Sequence, residues 1–437
     1  MTASIPVRFL TGQRPRGGRL VAVLAIVLVA LSMRNAVAVI GPVFSIISDD
    51  LDFDVIVLSA IGAAPPLAFA AAGLVVPRLA RRFGLEPLLI VGIAAIAVGQ
   101  ALRAFSFEPG LLIAATIFAM LGIGMANVLL PPLVRRYFPE RIAGVTSLYL
   151  VLMCIGASVP AFTAVQIADA AGWRFAIGLW VIVPVLAVVP WLVMLRSPRP
   201  VDPVTAPITI EPTVVEFDDG EDEPRAAVVA ERRAVAASPT AWSIAAAFAM
   251  ASISIYAAMA YLPSILVSAG VTPVVAASSL GIAVALGIPQ ALIAPLLATR
   301  RWAVAPMIAF AALCGVGGWL GMLLAPAAAP LLWGALIGSV PIAFPLSLLL
   351  VNTRTRSHRV TVSLSGFVQS LGYVAAGVSS FGVGLLHDAT GSWTAPMIVV
   401  LGSLVLAVPA IVILRRDRFV DDELAGERAT PRPAQRR

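Results

Sequence analysis

Twelve long apolar segments dominate the chain, and they constrain its fold more than any motif does. A helix needs about 20 apolar residues to cross the hydrocarbon core of a bilayer. The segments are residues 20–47, 56–77, 85–104, 110–133, 142–166, 174–195, 241–268, 274–298, 303–325, 329–352, 360–386 and 392–414. Only 12% of all residues are charged, whereas a soluble domain carries about 25%. The chain is therefore predicted to be an all-α integral membrane protein with twelve transmembrane helices.

The arginines are distributed unevenly between the segments, and this distribution predicts an orientation. With a cytoplasmic N-terminus, the inner connections hold clusters that begin at Arg78, Arg135 and Arg354, whereas the outer loops hold only Arg103 and Arg174. Membrane proteins show this bias towards positive charge on the inside. We expect a multi-pass protein of the inner (plasma) membrane with both termini in the cytoplasm. The net charge of +7 comes from short arginine clusters, so the expected partner is the lipid bilayer and not nucleic acid.

One polar stretch divides the chain into two groups of six segments. Residues 197–240 are acidic and contain several prolines, a composition typical of a disordered linker. The prediction is a cytoplasmic linker between an N-terminal six-helix bundle, residues 20–196, and a C-terminal six-helix bundle, residues 241–414. Residues 1–19 and 415–437 are predicted to be cytoplasmic tails.

Short repeats relate the two groups. The stretch GLVVPRLARR, residues 73–82, aligns with ALIAPLLATR, residues 291–300, and DAAGWR at Asp169 aligns with DATGSW at Asp388. Each pair occupies the same place in its half, at nearly the same offset. Parallel halves of six spans are typical of a pseudo-symmetric transporter with its binding site between them.

The basic turn after the second segment carries Arg78, Arg81 and Arg82. It resembles the G-x-x-x-D-R-x-G-R-R turn of the major facilitator superfamily, with Pro77 at the acidic position and Ala80 at the second glycine. The resemblance covers almost the whole chain and implies the major facilitator fold, a pair of pseudo-symmetric six-helix bundles. The three arginines are predicted to gate the transport cycle, because cations can cap the negative C-terminal ends of neighbouring helices.

Three further stretches resemble the cyanate/nitroimidazole transporter family within this superfamily. They are NVLLPPLVRRYFPER at 127–141, FPLSLLLVNTRTRSHRVTVSLSGFVQSLGY at 344–373 and LLHDATGSWTAP at 385–396. The arginine in the first segment adds to the likeness. The resemblance implies transport of a small solute. It does not fix which solute, because similar members carry different ones.

Arg34 stands inside the first segment, about 14 residues or about 21 Å from its start. That depth is too great for snorkelling, and an arginine facing lipid there costs at least about 2.5–3.5 kcal/mol. No Asp or Glu lies within a segment interior, and the resemblance implies that the first, fourth, seventh and tenth spans line a central cavity. Arg34 is predicted to bind the substrate through its planar guanidinium. The alternative is a structural role, with Arg34 hydrogen-bonded to carbonyls of a neighbouring helix.

Other polar residues inside the segments are weaker candidates for substrate binding. They could donate to a substrate, or they could join helix to helix, which is the commoner use of a membrane Asn or Gln. These candidates are Asn127, Tyr256, Gln290, Gln369 and Tyr373. His358 and His387 lie at segment ends without a second ligand at metal spacing, so no metal site is predicted.

The predicted function is that of a secondary transporter, not an enzyme. The chain has no phosphate-binding P-loop, and we expect a monomer without cofactors that moves a small anionic or flat polar solute, cyanate-like or related, by alternating access. The alternative is a drug or metabolite exporter of the same superfamily. Phe118 stands where such exporters carry an arginine, and their glycine-proline motif is reduced to Gly156 and Pro160. Because no Asp, Glu or His lies deep in a segment, uniport or co-entry of a proton with a weak acid is favoured over a carboxylate relay.

Overall fold

The computed structural model describes residues 16–52, 55–196, 235–298, 300–416 and 418–429, and all its regular elements there are helices. Twelve helical units are long and apolar enough to cross a membrane, as predicted, and we number them span 1 to span 12. Their helices are Arg16–Ala38 and Ile40–Leu51 (span 1), Val55–Phe83 (2), Leu85–Ala104 (3), Pro109–Tyr137 (4), Ile142–Ala171 (5), Trp173–Gly178 and Ile182–Arg196 (6), Pro239–Ser268 (7), Pro273–Ala285 and Gly287–Ala298 (8), Val304–Leu324 (9), Pro330–Ile337 and Ala343–Thr353 (10), His358–Thr390 (11), and Thr394–Ser403 and Ala407–Leu414 (12).

In several spans, the first helix ends four residues before a proline. A proline has no N–H to donate to the carbonyl four residues before it, and its ring crowds that carbonyl. Pro42 thus explains the end of the first helix of span 1 at Ala38, and Pro289 explains the end of the first helix of span 8 at Ala285. Other prolines, such as Pro160 in span 5, lie in an uninterrupted helix.

Spans 1–6 and spans 7–12 form two bundles, with the start of span 1 and the end of span 12 on the same face. We call this the terminal face and the other the far face. Span 2 packs along span 11, span 5 packs along span 8, and the far end of span 1 packs on span 7. These pairs join the two bundles around a central axis.

The bundles are closed against each other at the far face. Residues 61–66 of span 2, in its far half, are all buried, whereas most of residues 70–83, towards the terminal face, are exposed or half-buried. Glycines allow the close approach: a Cβ atom on Gly62 would lie 2.8 Å from Ala260 Cβ, and one on Gly384 would lie 2.6 Å from Ser59 Cβ. The structure is therefore sealed at the far face and more open at the terminal face.

Further contacts define the ends of the C-terminal bundle. Ser238 caps span 7, which starts at Pro239, a favourable first position for proline. The structured chain therefore begins before residue 240, and residues 197–234 of the predicted linker lie outside the described residues. The predicted tail contains a helix, Val420–Ala429, whose Glu423 accepts hydrogen bonds from the Ser238 and Thr240 hydroxyls.

Candidate functional site

Arg34 lies in the middle of span 1, and its guanidinium reaches the other bundle. It lies beside the hydroxyl of Tyr256 in span 7 and interacts with it electrostatically. The hydroxyl of Tyr373 in span 11 and the thiol of Cys154 in span 5 are also close enough to interact with it electrostatically. One cation thus interacts with groups from three other spans, on both sides of the central axis.

The side chain of Arg34 is surrounded by protein, yet it remains only half-buried. Its accessible part must therefore face an internal space. One turn further along span 1, Val37 borders a small cavity between the bundles, which Tyr256 and Met259 line from span 7. None of the described carboxylates forms an ion pair with Arg34. A cation at this depth without a counter-charge attracts an anionic or strongly polar group.

Five rings form an aromatic cluster beside Arg34. Phe69 lies edge-on to Tyr256 at 6.4 Å and to Tyr373 at 5.8 Å between ring centroids. Phe248 packs on Tyr373 at 5.3 Å and on Phe344 at 4.5 Å. Offset and edge-on geometries are the ones that aromatic rings prefer. The cluster gives the site flat, apolar walls, contributed by spans 2, 7, 10 and 11.

This combination is suited to a narrow class of small molecules. A guanidinium binds two coplanar oxygens, such as those of a carboxylate, through parallel hydrogen bonds. Ring faces and edges accommodate a flat conjugated body. The Tyr256 hydroxyl, which lies beside Arg34, can also donate a hydrogen bond to the same ligand.

The other predicted binding residues are placed apart from Arg34 or engaged within the protein. Asn127 is half-buried, and its side chain makes no hydrogen bond to the part of the chain that the structure describes. Gln369 donates to Ser365 on its own helix at 2.9 Å. Gln290 donates to the Gly338 carbonyl at 2.6 Å, which joins the breaks of spans 8 and 10. Substrate binding by these three residues stays a prediction.

The predicted gating arginines lie at the terminal end of span 2 and are exposed. Arg78 donates to the Leu74 carbonyl at 2.5 Å, and the Arg82 guanidinium lies 5.3 Å from the ring centre of Phe83. These contacts stay within span 2. The gating role of Arg78, Arg81 and Arg82 also stays a prediction.

The place of Arg103 in the sequence suggested an outer loop, but the structure places this residue in a helix. Span 3 continues to Ala104, so Arg103 lies in its last turn, and the side chain is 1% exposed. It donates to the Ala36 carbonyl of span 1 at 2.7 Å. Next to it, Gln100 donates to the Asn35 side chain at 3.0 Å. A basic residue at a segment end is normally solvated, so its position in the sequence gave no sign of this burial.

The aromatic cluster was also missed in part. Phe69, Phe248 and Phe344 read as ordinary apolar residues of membrane helices, and Cys154 as a small apolar one. Only the tertiary structure brings their four spans to Arg34. A sequence signal that separates these rings from the many lipid-facing phenylalanines is absent, because both kinds occupy the same apolar pattern.

A second charged group lies at the far face, on the N-terminal bundle. Asp50, in the last turn of the second helix of span 1 and past the apolar segment 20–47, accepts hydrogen bonds from Arg174 at 2.7 Å and from the Trp173 indole at 3.0 Å. The hydrogen bond from Arg174, followed by that from Trp173, lowers the pKa of Asp50. Arg174 also donates to the Ser106 carbonyl at 3.2 Å. These contacts tie span 1 to the start of span 6 and to the loop after span 3.

Comparisons with known proteins agree with this architecture. The sequence profile of the Major Facilitator Superfamily matches residues 24–380. An uncharacterised transporter of Bacillus subtilis is 28% identical over 409 residues, which cover 90% of this chain and 93% of that protein. The 2-nitroimidazole transporter of Escherichia coli is 29% identical over 395 residues, covering 89% and 94%. The cyanate transport protein of Escherichia coli is 22% identical over 302 residues, covering 68% and 72%.

Solved structures show the same fold at low identity. A bacterial homologue of the human lysosomal transporter Spinster, in an inward-facing and unoccupied conformation, superposes with a TM-score of 0.64 at 13% identity. The match covers 96% of this chain and all of the other. The resemblance to transporter families that was inferred from the sequence is thus confirmed.

Proposed function

Because the chain belongs to the major facilitator superfamily of secondary transporters, we propose that it carries a small, flat solute with a carboxylate-like or nitro group, held by Arg34. The two bundles move the solute by alternating access. The observation that carries this proposal is the position of Arg34, a cation without a described carboxylate partner, beside the Tyr256 hydroxyl and the aromatic cluster.

The chemistry of the site favours a flat conjugated solute over a compact one. A nitro group presents two coplanar oxygens, as a carboxylate does, and a guanidinium fits both. The aromatic cluster offers ring contacts to the rest of the molecule. A relative of similar length is named for 2-nitroimidazole and another for cyanate, and these two solutes are therefore the first to test.

The same site supports a proposal on energy coupling. No carboxylate among the described residues contacts the central groups, and the one buried acid among them, Glu86, lies at the terminal end of span 3, paired with Arg136 at 3.0 Å. Membrane proton relays use Asp, Glu or His within the spans. Uniport and entry of a protonated weak acid both work without such a residue, so we favour these two modes of coupling.

The arginine bias supports an orientation with the terminal face in the cytoplasm of a cell with an inner membrane. The more open side of the structure then faces inwards. A protease site inserted at residue 215 should be cut in inside-out vesicles and protected in right-side-out ones. The reverse pattern would contradict this orientation.

Uptake into proteoliposomes tests the substrate class. The panel is 2-nitroimidazole, benzoate and cyanate, with unsubstituted imidazole as the matched control that lacks the nitro group. We expect the uptake rate of 2-nitroimidazole or of benzoate to be higher in proteoliposomes than in protein-free liposomes. The uptake rate of imidazole should be the same in both. Uptake of imidazole as fast as 2-nitroimidazole, or no uptake of any flat solute, would contradict the proposal. A pH gradient applied in a second series separates uniport from entry with a proton.

A further inference from the structure

We infer that Arg103 is a positioning residue for Arg34: from span 3 it holds the turn of span 1 that aims the Arg34 guanidinium into the central site. The inference rests on the proposed role of Arg34. Span 3 contributes none of the groups that interact with Arg34, which come from spans 5, 7 and 11. Arg103 therefore acts on the site through span 1.

The contacts lie directly behind Arg34. Arg103 donates to the carbonyl of Ala36, and Gln100 donates to the side chain of Asn35. Successive residues of a helix are turned by about 100°, so Asn35 lies at about a right angle to Arg34 and Ala36 lies on nearly the opposite side of the helix. Span 3 thus holds the back of the same helical turn whose front carries Arg34.

This turn needs support, because span 1 is broken immediately after it. The first helix ends at Ala38, and Pro42 leaves the Ala38 carbonyl without its usual helical donor. A helix loses stiffness at such a break. The Arg103 and Gln100 contacts precede the break by a few residues and fix the direction of the segment that holds Arg34.

Stability alone does not explain an arginine at this position. Arg103, Gln100 and Asn35 are each 1% exposed, and the Nε atom of Arg103, the Oε1 atom of Gln100 and the Nδ2 atom of Asn35 have no partner among the described residues. Buried charges are usually less favourable than apolar side chains of similar volume. Arg103 nevertheless keeps its charge here with one described hydrogen bond, to the carbonyl of Ala36, two residues from Arg34. The placement of Arg34 explains why this charge is kept.

The test uses Cys154 as a reporter of the Arg34 charge, in protein that lacks Cys314 (Cys314→Ser). Anionic iodoacetate and neutral iodoacetamide alkylate the same thiol, so the ratio of their rates measures the positive charge beside it. Arg34→Ala should lower the ratio by about ten-fold, the lower end of charge effects on encounter rates. Arg103→Met should lower it by a comparable factor, because Arg34 is then no longer held beside Cys154. Arg103→Lys should restore part of the ratio.

The double variant and a matched control complete the test. In the Arg34→Ala background, Arg103→Met should change the ratio no further, because Arg103 acts through Arg34. The control is Gly318→Ala in span 9, which would place a Cβ atom 2.7 Å from the Ile337 side chain of span 10 and so introduces strain away from spans 1 and 3. It should lower thermal stability and leave the ratio unchanged.

A wild-type ratio in folded Arg103→Met protein, or the same loss in Gly318→Ala, would overturn the inference. If Arg103→Met does not fold, Arg103→Gln takes its place in the same comparison. The measurement needs no solute, so it is independent of the panel that tests the proposed function. An unchanged solute affinity in Arg34→Ala would refute that function, whatever the alkylation ratios show.

Discussion

At the scale of single residues, the site depends on one cation whose charge is not neutralised by the described protein. Arg34 has a hydroxyl partner, Tyr256, in place of a carboxylate. A hydroxyl leaves the positive charge available to a ligand, whereas an Asp or Glu would compete for it. The neighbouring hydroxyl also restricts the orientation of the guanidinium before a ligand arrives, which lowers the entropic cost of binding.

Removal of the Tyr256 hydroxyl tests this orienting role. Tyr256→Phe keeps the ring in the aromatic cluster and removes only the hydroxyl beside Arg34. Affinity for the preferred panel solute should fall about two- to ten-fold, since the Arg34 side chain must then be ordered on binding, at a cost of about 0.5–1.5 kcal/mol. Titration calorimetry on purified protein measures it. Tyr149→Phe, a buried tyrosine of span 5 outside the cluster, is the control, and an equal loss there would argue against a specific role for Tyr256.

At the scale of helices, the seal at the far face depends on glycines that allow helices from the two bundles to touch. Gly384 of span 11 lies against Ser59 of span 2, and Gly62 of span 2 lies against Ala260 of span 7. Small residues at such contacts let membrane helices pack closely. Opening the far face in the transport cycle requires these contacts to separate.

A methyl group at this seal should shift the equilibrium towards a conformation open at the far face. Gly384→Ala would overlap Ser59, whereas Gly382→Ala, two residues away, has open space around it. Labelling of Cys154 by a membrane-impermeant thiol reagent from the far face, in the Cys314→Ser background, should increase in Gly384→Ala and not in Gly382→Ala. Equal labelling of both variants and the parent would show that Gly384 does not hold the seal.

The Asp50–Arg174 contact gives a second prediction at this scale, on pH. The pKa of Asp50 is lowered in the folded protein, so this carboxylate stabilises the fold above its unfolded pKa of about 3.9, and the contribution is lost as the pH falls through the folded value. Asp50→Asn should therefore lower Tm slightly at pH 7, and the difference from wild type should shrink below about pH 4. Thermal unfolding in detergent at low salt measures both. A difference that grows on acidification would contradict the assignment.

At the scale of the whole molecule, the sequence predicted the architecture better than the site. Twelve spans and two halves followed from hydropathy and from repeats such as the aligned prolines Pro77 and Pro295, because membrane length restricts the possibilities. The helix breaks did not follow, since Pro289 ends a helix and Pro160 does not. Arg34 could be singled out because a lone charge in an apolar segment is costly. Its partner Tyr256 and the burial of Arg103 depend on how distant spans pack.

The most direct test of the account is solute binding per folded molecule in variants of Arg34, measured by titration calorimetry with the solute of the panel that wild type transports fastest. Arg34→Ala should fold and bind about ten- to a hundred-fold more weakly, since a hydrogen bond to a charged group contributes about 1.5–3 kcal/mol. Arg34→Lys should recover part of the affinity, because an ammonium keeps the charge and loses the planar fork. Wild-type affinity in well-folded Arg34→Ala would contradict the account.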